Sequence, residues 1–160
     1  MLPLILAIVV TVFDQWTKSL VRGHFDLFEN RVVVAGLFDL RYIQNTGAAW
    51  GMFAGGHYWL AGLSLLVLFA LVIWQRAFFR NCLLDRMAFG LLAGGIVGNL
   101  IDRIRLRYVV DFLDFHWGGR HFPAFNIADS AICIGVGMVL ISQYLVARAE
   151  DRSGPSGAGE

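Results

Sequence analysis

Residues 127–146, I-A-D-S-A-I-C-I-G-V-G-M-V-L-I-S-Q-Y-L-V, decide the fold of this chain. The segment is as long as the roughly 20 helical residues that cross the hydrocarbon of a bilayer. Its one charged residue, Asp129, stands near its beginning. An ionised carboxylate in or beside hydrocarbon is costly, so an acid at such a place indicates a function and a partner. The segment therefore predicts a membrane helix with a functional group at its start.

The composition of the whole chain agrees with a membrane protein. Of its 160 residues, 58% are hydrophobic and 16% are charged, whereas soluble domains are about half apolar and about a quarter charged. The formal net charge of +1 leaves no basic stripe that could follow phosphates, so we expect no nucleic-acid partner. The apolar run that begins at Leu2 has no Lys or Arg before it and no A-x-A site after it. We interpret it as a retained span rather than a signal peptide.

Four segments are apolar and long enough to be predicted spans: 2–21, 58–74, 87–104 and 126–147. The sequence thus predicts an all-α integral membrane protein with four transmembrane helices, in which residues 1–147 form one domain. An even number of spans places both termini on the same side. The polar, Gly-rich tail over residues 148–160 is expected to be disordered.

A segment of different character, residues 22–57, lies between the first two predicted helices. Apolar and charged side chains alternate over 38–42 (F-D-L-R-Y), which is the period of a β-strand. Residues 32–34 can form the partner strand of a small hairpin. Because exposed strands cannot lie bare in lipid, we expect this β-element in the interface or the aqueous phase, over the helix ends.

The third predicted span carries a packing signal. Gly90, Gly94 and Gly98 recur every four residues, and a ridge of small residues lets a neighbouring helix approach closely. We interpret this stripe as structural rather than catalytic.

Several polar side chains are predicted at the same membrane face as Asp129. Asp14 lies about 18 Å into the first helix, past the midplane, and Lys18 lies one turn further on the same helical face, where the two can pair. The third span ends with three polar residues that share one helical face, Asn99, Asp102 and Arg103. A structural ion pair and a structural hydrogen-bond cluster remain open as alternatives to a functional site.

The partner that we expect for Asp129 is Asp111, in V-V-D-F just before the fourth span. Two carboxyls that share a site cannot both ionise easily, so one keeps a proton while the other acts as a base, as in aspartic proteases. Asn126 is a candidate N-cap with Asp129 three residues on, so a capping box is the structural alternative. A capping box alone would not explain why so many polar groups converge at that end.

Other chemistries find little support in the sequence. His116 and His121 occur without H-E-x-x-H, and Cys82 and Cys133 stand in no metal-ligand spacing, so we expect no metal. No G-x-S-x-G is present to indicate a serine nucleophile. A proton- or cation-coupled transporter and a non-catalytic scaffold are the rival classes. A transport path needs polar groups at staggered depths, whereas these groups cluster at one face.

The distribution of basic residues favours one orientation. The connector after the second span and the C-terminal tail carry five arginines, whereas the opposite side carries eight basic residues: Lys18, Arg22, Arg31, Arg41, Arg103, Arg105, Arg107 and Arg120. A positive-inside count would place the larger group in the cytoplasm. Basic residues that serve structure or catalysis carry no information on orientation, so the count alone does not decide it.

Five motifs, in order along the chain, resemble bacterial lipoprotein signal peptidase, also called signal peptidase II. They are D-Q-W-T-K (14–18), N-T-G-A-A-W-G (45–51), G-N-L-I-D-R (98–103), V-V-D-F (109–112) and F-N-I-A-D-S-A (125–131). The resemblance implies an aspartic endopeptidase of the bacterial inner membrane without a cofactor. Its expected partners are membrane lipid and prolipoproteins that carry a diacylglyceryl-modified cysteine, which are cut just before that cysteine.

The resemblance also implies roles and an orientation. Asp111, rather than Asp114, would form the catalytic dyad with Asp129. The expected supporting and substrate-binding residues are Asp14, Lys18, Asn45, Asn99, Asp102, Arg103 and Asn126. Both termini would be cytoplasmic and the active site and β-element periplasmic, against the charge count. We expect a monomer.

Overall fold

The computed structural model describes residues 1–47, 56–79 and 82–152 of the chain. Within these residues, the elements are α1 (Leu2–His24), β1 (Asn30–Val34), β2 (Phe38–Asn45), α2 (His57–Ile73), α3 (Gln75–Phe78), α4 (Leu83–Arg105), β3 (Val109–Trp117), β4 (Arg120–His121) and α5 (Ile127–Arg152). The fold is a bundle of helices with a small antiparallel sheet.

Three of the described helices are long and apolar enough to cross a membrane, namely α1, α4 and α5. The apolar helix α2 has 17 residues, which at 1.5 Å per residue reach about 26 Å and fall short of the roughly 30 Å hydrocarbon core. Three of the four predicted spans are therefore confirmed as candidates. The remaining predicted span, 58–74, corresponds to α2 and stays a prediction.

The largest differences from the predicted helix boundaries are at the start of α4 and the end of α5. Helix α4 begins at Leu83 rather than residue 87, with the Asp85 N–H lying 3.5 Å from Cys82 Sγ at its cap. Helix α5 continues to Arg152, because A-R-A-E-D-R contains mostly helix-compatible residues. Residues 148–152 are thus helical rather than disordered, and the rest of the predicted tail lies outside the described residues.

The sheet is larger than predicted. The hairpin of β1 and β2 is confirmed, and it turns at Gly36 with φ +76°. Strand β2 also pairs with β3, which follows α4, and β4 completes the order β1-β2-β3-β4. The predicted architecture, mostly helical with a small β-element after the first helix, is therefore confirmed, but the sheet extends beyond residues 22–57 to include β3 and β4. The first four residues of β3 are all buried, so its sequence lacks the alternation that marks a half-exposed strand.

Strand β2 departs from simple alternation. Asp39 is only 4% exposed, although the pattern over 38–42 would place it outward. Asn30 Nδ2 donates to its carboxylate at 2.8 Å, and His116 Nε2 lies 3.2 Å away. The hydrogen bond from Asn30 lowers the pKa of Asp39, so the carboxylate is held ionised inside the sheet.

The glycine stripe lets a neighbouring helix approach α4 closely, as predicted, and that helix is α1. A Cβ on Gly90 would stand 2.8 Å from the Pro3 carbonyl oxygen, and one on Gly98 would stand 2.6 Å from an Asp14 carboxylate oxygen. Because successive contacts advance in the same direction along both helices, α1 and α4 run parallel. The polar C-terminal end of α4 therefore lies beside the polar C-terminal half of α1.

Gly95→Ala is expected to destabilise the bundle by about 1–3 kcal/mol, the usual cost of overpacking. A Cβ there would overlap the Ala128 carbonyl oxygen and stand 2.7 Å from Ile132 Cγ1, so the start of α5 must move. Thermal unfolding in detergent micelles measures the change. Gly137→Ala is the matched control, because nothing lies within 4 Å of its added carbon. Equal destabilisation by both substitutions would contradict this packing.

Candidate active site

The two aspartates predicted to form a pair line one cavity of about 560 Å³. Asp111 comes from β3, and Asp129 comes from the first turn of α5. The other polar lining residues are Asn45, Asn99, Arg103 and Ser130, and the remaining wall is made by Val109, Phe122, Pro123, Ala124, Phe125, Ile132 and Cys133. The cavity thus has acids and amides along one part and apolar side chains along the rest.

Asp111 is held between buried residues. Its neighbours Val110 and Phe112 are 0% and 5% exposed, which anchors the strand on both sides of the carboxyl. Asn126 Nδ2 donates to Oδ1 at 2.7 Å, and Asn45 Nδ2 donates to Oδ2 at 2.9 Å. Burial, and then the charge of Asp129, raises the pKa of Asp111 to about 7. This carboxyl can therefore keep a proton near neutral pH.

Asp129 belongs to a capping box and to the cavity at the same time. Its N–H donates to Asn126 Oδ1 at 2.9 Å, and the Asn126 N–H donates to Asp129 Oδ2 at 3.2 Å, which is the reciprocal capping geometry. Its other oxygen, Oδ1, accepts from Asn99 Nδ2 at 2.7 Å. The capping box, which was the structural alternative, is thus present, but it does not exclude a functional role for Asp129. The cap fixes the carboxylate at the N-terminus of α5, on the wall of the cavity.

Asn126 connects the two carboxyls. Its Oδ1 is engaged by the Asp129 N–H, so its Nδ2 points to Asp111 and, at 3.2 Å, to Asn99 Oδ1. The side chain is 0% exposed. The Asn126 amide therefore contacts the Asp111 carboxyl with one end and the Asp129 backbone N–H with the other, which fixes the relative position of the two residues.

Lys18 lies behind the pair with all three of its N–H donors used. It is 1% exposed and contacts Asp14 Oδ2 at 2.9 Å, Asp102 Oδ2 at 3.1 Å and Asn99 Oδ1 at 2.9 Å. The predicted Asp14–Lys18 pair is present. Because Lys18 can only donate, Asn99 must turn its oxygen to Lys18 and its NH₂ to Asp129.

The two acids that hold Lys18 also hold the backbone beside the pair. Asp14 Oδ1 accepts the Ala128 N–H at 2.9 Å, one residue before Asp129. Asp102 Oδ2 accepts the Val110 N–H at 3.1 Å, one residue before Asp111. The lysine cluster of Asp14, Lys18 and Asp102 therefore ties the two elements that carry the cavity acids.

Two further observations concern residues near this cluster. Gln15, for which the sequence predicts no role, donates to Asp102 Oδ1 at 2.8 Å and to the Gly98 carbonyl at 3.1 Å. The only feature of the sequence that could have indicated this role is its place between Asp14 and Lys18.

Arg103 lies on the cavity wall, with NH1 3.5 Å from the Asn99 carbonyl oxygen. All of the predicted site residues thus come together at one end of the bundle.

Asp114 belongs to a different cluster. It lies 2.9 Å from His121 Nδ1 and 3.9 Å from Arg41, outside the cavity lining. Residues three apart on a strand point to opposite faces, so Asp111 and Asp114 cannot share a site.

Among the residues described, no three His, Cys, Asp or Glu side chains are grouped to hold a metal ion. Positions 48–51 of the N-T-G-A-A-W-G motif lie outside the described ranges.

Two acids on one wall of a largely apolar cavity, in a bundle of membrane-type helices, are the arrangement expected of a membrane hydrolase of the aspartic class. The chain matches the family model of Signal peptidase (SPase) II over residues 6–145 and belongs to that family. The resemblance drawn from the five motifs is confirmed. Membership in a peptidase family also favours an enzyme over the transporter and scaffold alternatives.

Individual relatives agree over most of their length. The chain is 46% identical over 145 residues to a lipoprotein signal peptidase of Syntrophotalea carbinolica, covering 88% of this chain and 89% of the relative. It is 41% identical over 148 residues to that of Symbiobacterium thermophilum, covering 92% and 97%. A bacterial membrane enzyme solved by the in meso method at 2.3 Å matches with a TM-score of 0.82 at 30% identity, covering 99% of this chain and 94% of that one.

Proposed function

We propose that this chain removes the signal peptide from prolipoproteins that carry a diacylglyceryl-modified cysteine, and that it cuts just before that cysteine. The relatives are lipoprotein signal peptidases, which supports the substrate class. The observation that supports the chemistry is the placement of Asp111 and Asp129 on one cavity wall, joined by Asn126.

The proposed reaction is general acid–base hydrolysis by this pair. Asp129, ionised at the helix N-terminus, takes a proton from water as the water oxygen attacks the scissile carbonyl carbon. Protonated Asp111 donates its proton to the carbonyl oxygen, giving a gem-diol. Asp129 then protonates the amide nitrogen, the C–N bond breaks, and Asp111 recovers its proton as the carboxyl group forms. The two acids end in their starting states.

The surrounding residues have positioning and binding roles in this proposal. Asn45, Asn99 and Asn126 hold the carboxyl oxygens by N–H donors, so neither acid rotates away from the water. Arg103, on the cavity wall, can donate to a substrate carbonyl. The lysine cluster fixes the backbone beneath both acids.

The apolar part of the cavity suits the substrate's hydrophobic portion. Phe122, Phe125 and Ile132 line it, and we propose that the signal peptide and acyl chains lie against this side, in contact with membrane lipid. Burial of the chains in lipid would position the scissile bond at the acids. One chain supplies every residue of the site, so we expect a monomer to suffice.

We further propose four spans, with α2 as the fourth, and a location in the bacterial inner membrane. Both termini would be cytoplasmic and the acid pair near the periplasmic face. This orientation runs against the plain charge count. One member of the larger group, Lys18, is buried within α1 against two carboxylates, so it lies inside a span and is not one of the loop charges that the positive-inside rule counts.

The direct test is cleavage of one precursor with and without its diacylglyceryl group, followed by N-terminal sequencing of the product. We expect cleavage before the cysteine, faster for the lipidated form by roughly 10²-fold, because lipid burial supplies the positioning. The Asp129→Asn protein serves as the inactive control. Equal rates would remove the lipid-positioning role, and no cleavage of either form would refute the proposed substrate.

The pH dependence should report Asp111. Since its pKa is raised to about 7 and its protonated form is required, kcat/KM is expected to fall as the pH rises above about 7, by up to about tenfold per unit. The hydrogen bond from Asn45 lowers that pKa, so Asn45→Ala should move the fall to higher pH. If kcat/KM falls at the same pH in the unsubstituted protein and in Asn45→Ala, Asp111 is not the group whose titration causes the fall.

A further inference from the structure

We propose that a second cavity, at the end of the bundle opposite the acid pair, binds the phosphate of an anionic phospholipid. It has a volume of about 520 Å³ and lies between the starts of α1 and α4 and the short helix α3. Asp85, on its wall, and Asn99, beside the acid pair, are 14 residues apart on α4, which corresponds to about 21 Å. The site is therefore separate from the catalytic one, and the proposal does not depend on the proposed function.

Two arginines supply the charge. Arg76 and Arg86 both line the cavity, and neither has an ion pair or side-chain hydrogen bond within residues 1–47, 56–79 and 82–152. The third charged lining residue, Asp85, is 1% exposed, so it lies within the wall. Two guanidinium groups against one carboxylate leave a net positive site. Guanidinium groups bind phosphate oxygens through paired N–H donors.

The ends of two long helices add to this field. Helices α1 and α4 run parallel, and both begin at this cavity, with Pro3 in the first turn of α1 and Asp85 in the first turn of α4. Helix N-termini carry partial positive charge and favour anions. The first turn of α1 contains no acidic residue, so its N-terminal charge is not neutralised within the helix.

The apolar wall favours a lipid over a free anion. Pro3, Phe79 and Phe89 line the cavity, and the two phenylalanine rings pack edge to face at 5.3 Å. A phosphate ion needs no apolar surface, whereas a phospholipid brings glycerol and acyl chains beside its phosphate. Both helices are membrane-type spans, so their ends lie at the depth of lipid headgroups. Basic pockets between membrane helices are known to hold anionic headgroups.

Native mass spectrometry of the full chain in detergent tests the proposal, with phosphatidylglycerol, phosphatidylcholine and inorganic phosphate as separate probes. We expect phosphatidylglycerol to be retained in preference to phosphatidylcholine, and Arg76→Gln and Arg86→Gln each to weaken its binding about fivefold. Arg148→Gln is the matched control, because this exposed arginine of α5 lies outside the cavity lining. It should leave binding unchanged.

Three outcomes would overturn the proposal. One is equal retention of both lipids, and another is wild-type binding by both cavity variants. The third is displacement of phosphatidylglycerol by inorganic phosphate at equal concentration, which would identify a soluble anion as the ligand. Precursor cleavage, measured on the same samples, shows that each variant is folded, since neither arginine lies near the acid pair. If Arg86→Gln is inactive, binding by the exposed Arg76→Gln variant alone decides.

Discussion

Asp111→Asn and Asp129→Asn, made separately, are each expected to lower the cleavage of lipidated precursor by about 10³-fold. Either amide has nearly the shape of the carboxyl that it replaces but cannot exchange a proton with water or with the scissile carbonyl. Initial rates on one lipidated precursor, at matched amounts of folded protein, measure the loss. Unfolding temperatures near that of the unsubstituted chain would show that the loss is chemical.

Asp114→Asn is the matched control for these two substitutions. Asp114 is an equally buried acid of the same strand, 2% exposed, but it contacts His121 and Arg41 and not the cavity. We expect its cleavage rate to stay within about tenfold of the unsubstituted value. Near-normal cleavage by a folded Asp111→Asn or Asp129→Asn protein would show that the pair is not the catalytic dyad.

Lys18→Met is expected to destabilise the chain by about 3–5 kcal/mol, the usual cost of removing one partner from a buried ion pair. The substitution leaves the carboxylates of Asp14 and Asp102 buried without a cation. It also frees the Asn99 amide to rotate, so Asp129 can lose its N–H donor. Cleavage should therefore fall together with stability. Denaturant unfolding in micelles measures the first effect.

Two comparisons separate the roles of Lys18. Arg31→Met breaks the exposed pair with Glu29, whose side chains are 52% and 31% exposed, and it should cost at most about 1 kcal/mol. The double substitution Lys18→Met with Asp14→Asn restores the net charge and keeps an acceptor for the Ala128 N–H. If this double substitution recovers stability but not cleavage, the result would show that Lys18 also orients the Asn99 amide. If Lys18→Met lowers the stability as little as Arg31→Met does, the result would contradict the presence of a buried ion-pair cluster around Lys18.

Local sequence rules predicted the parts of the site that depend on one helix. The Asp14–Lys18 pair follows from i, i+4 spacing, and the Asn126 cap from its place before an apolar run. The close approach of another helix to α4 follows from glycines every four residues, although which helix approaches does not. Each of these rules needs only the helical period, which a single apolar segment reveals.

Contacts between distant segments were not predictable in this way. Strand β3 is buried over its first half and shows no alternation, so the sequence predicted only that Asp111 lies just before the fourth span. The contacts of Asp111 with Asn45 and of Asp102 with the Val110 N–H depend on how β2, β3 and α4 meet. The resemblance selected Asp111 over Asp114, and the strand explains that choice through opposite faces. The apolar wall at Phe122 and Phe125 had no periodic signal.

We propose that Asp111 and Asp129 share one proton within a single site. Infrared titration of the purified chain tests it most directly, through the C=O stretch of a protonated carboxyl. We predict one such band that persists to neutral pH and disappears with a midpoint near the pKa of about 7 of Asp111. The band should be absent from Asp111→Asn and present in Asp114→Asn. A band that is unchanged in Asp111→Asn, or no protonated carboxyl at neutral pH in the unsubstituted chain, would contradict the account.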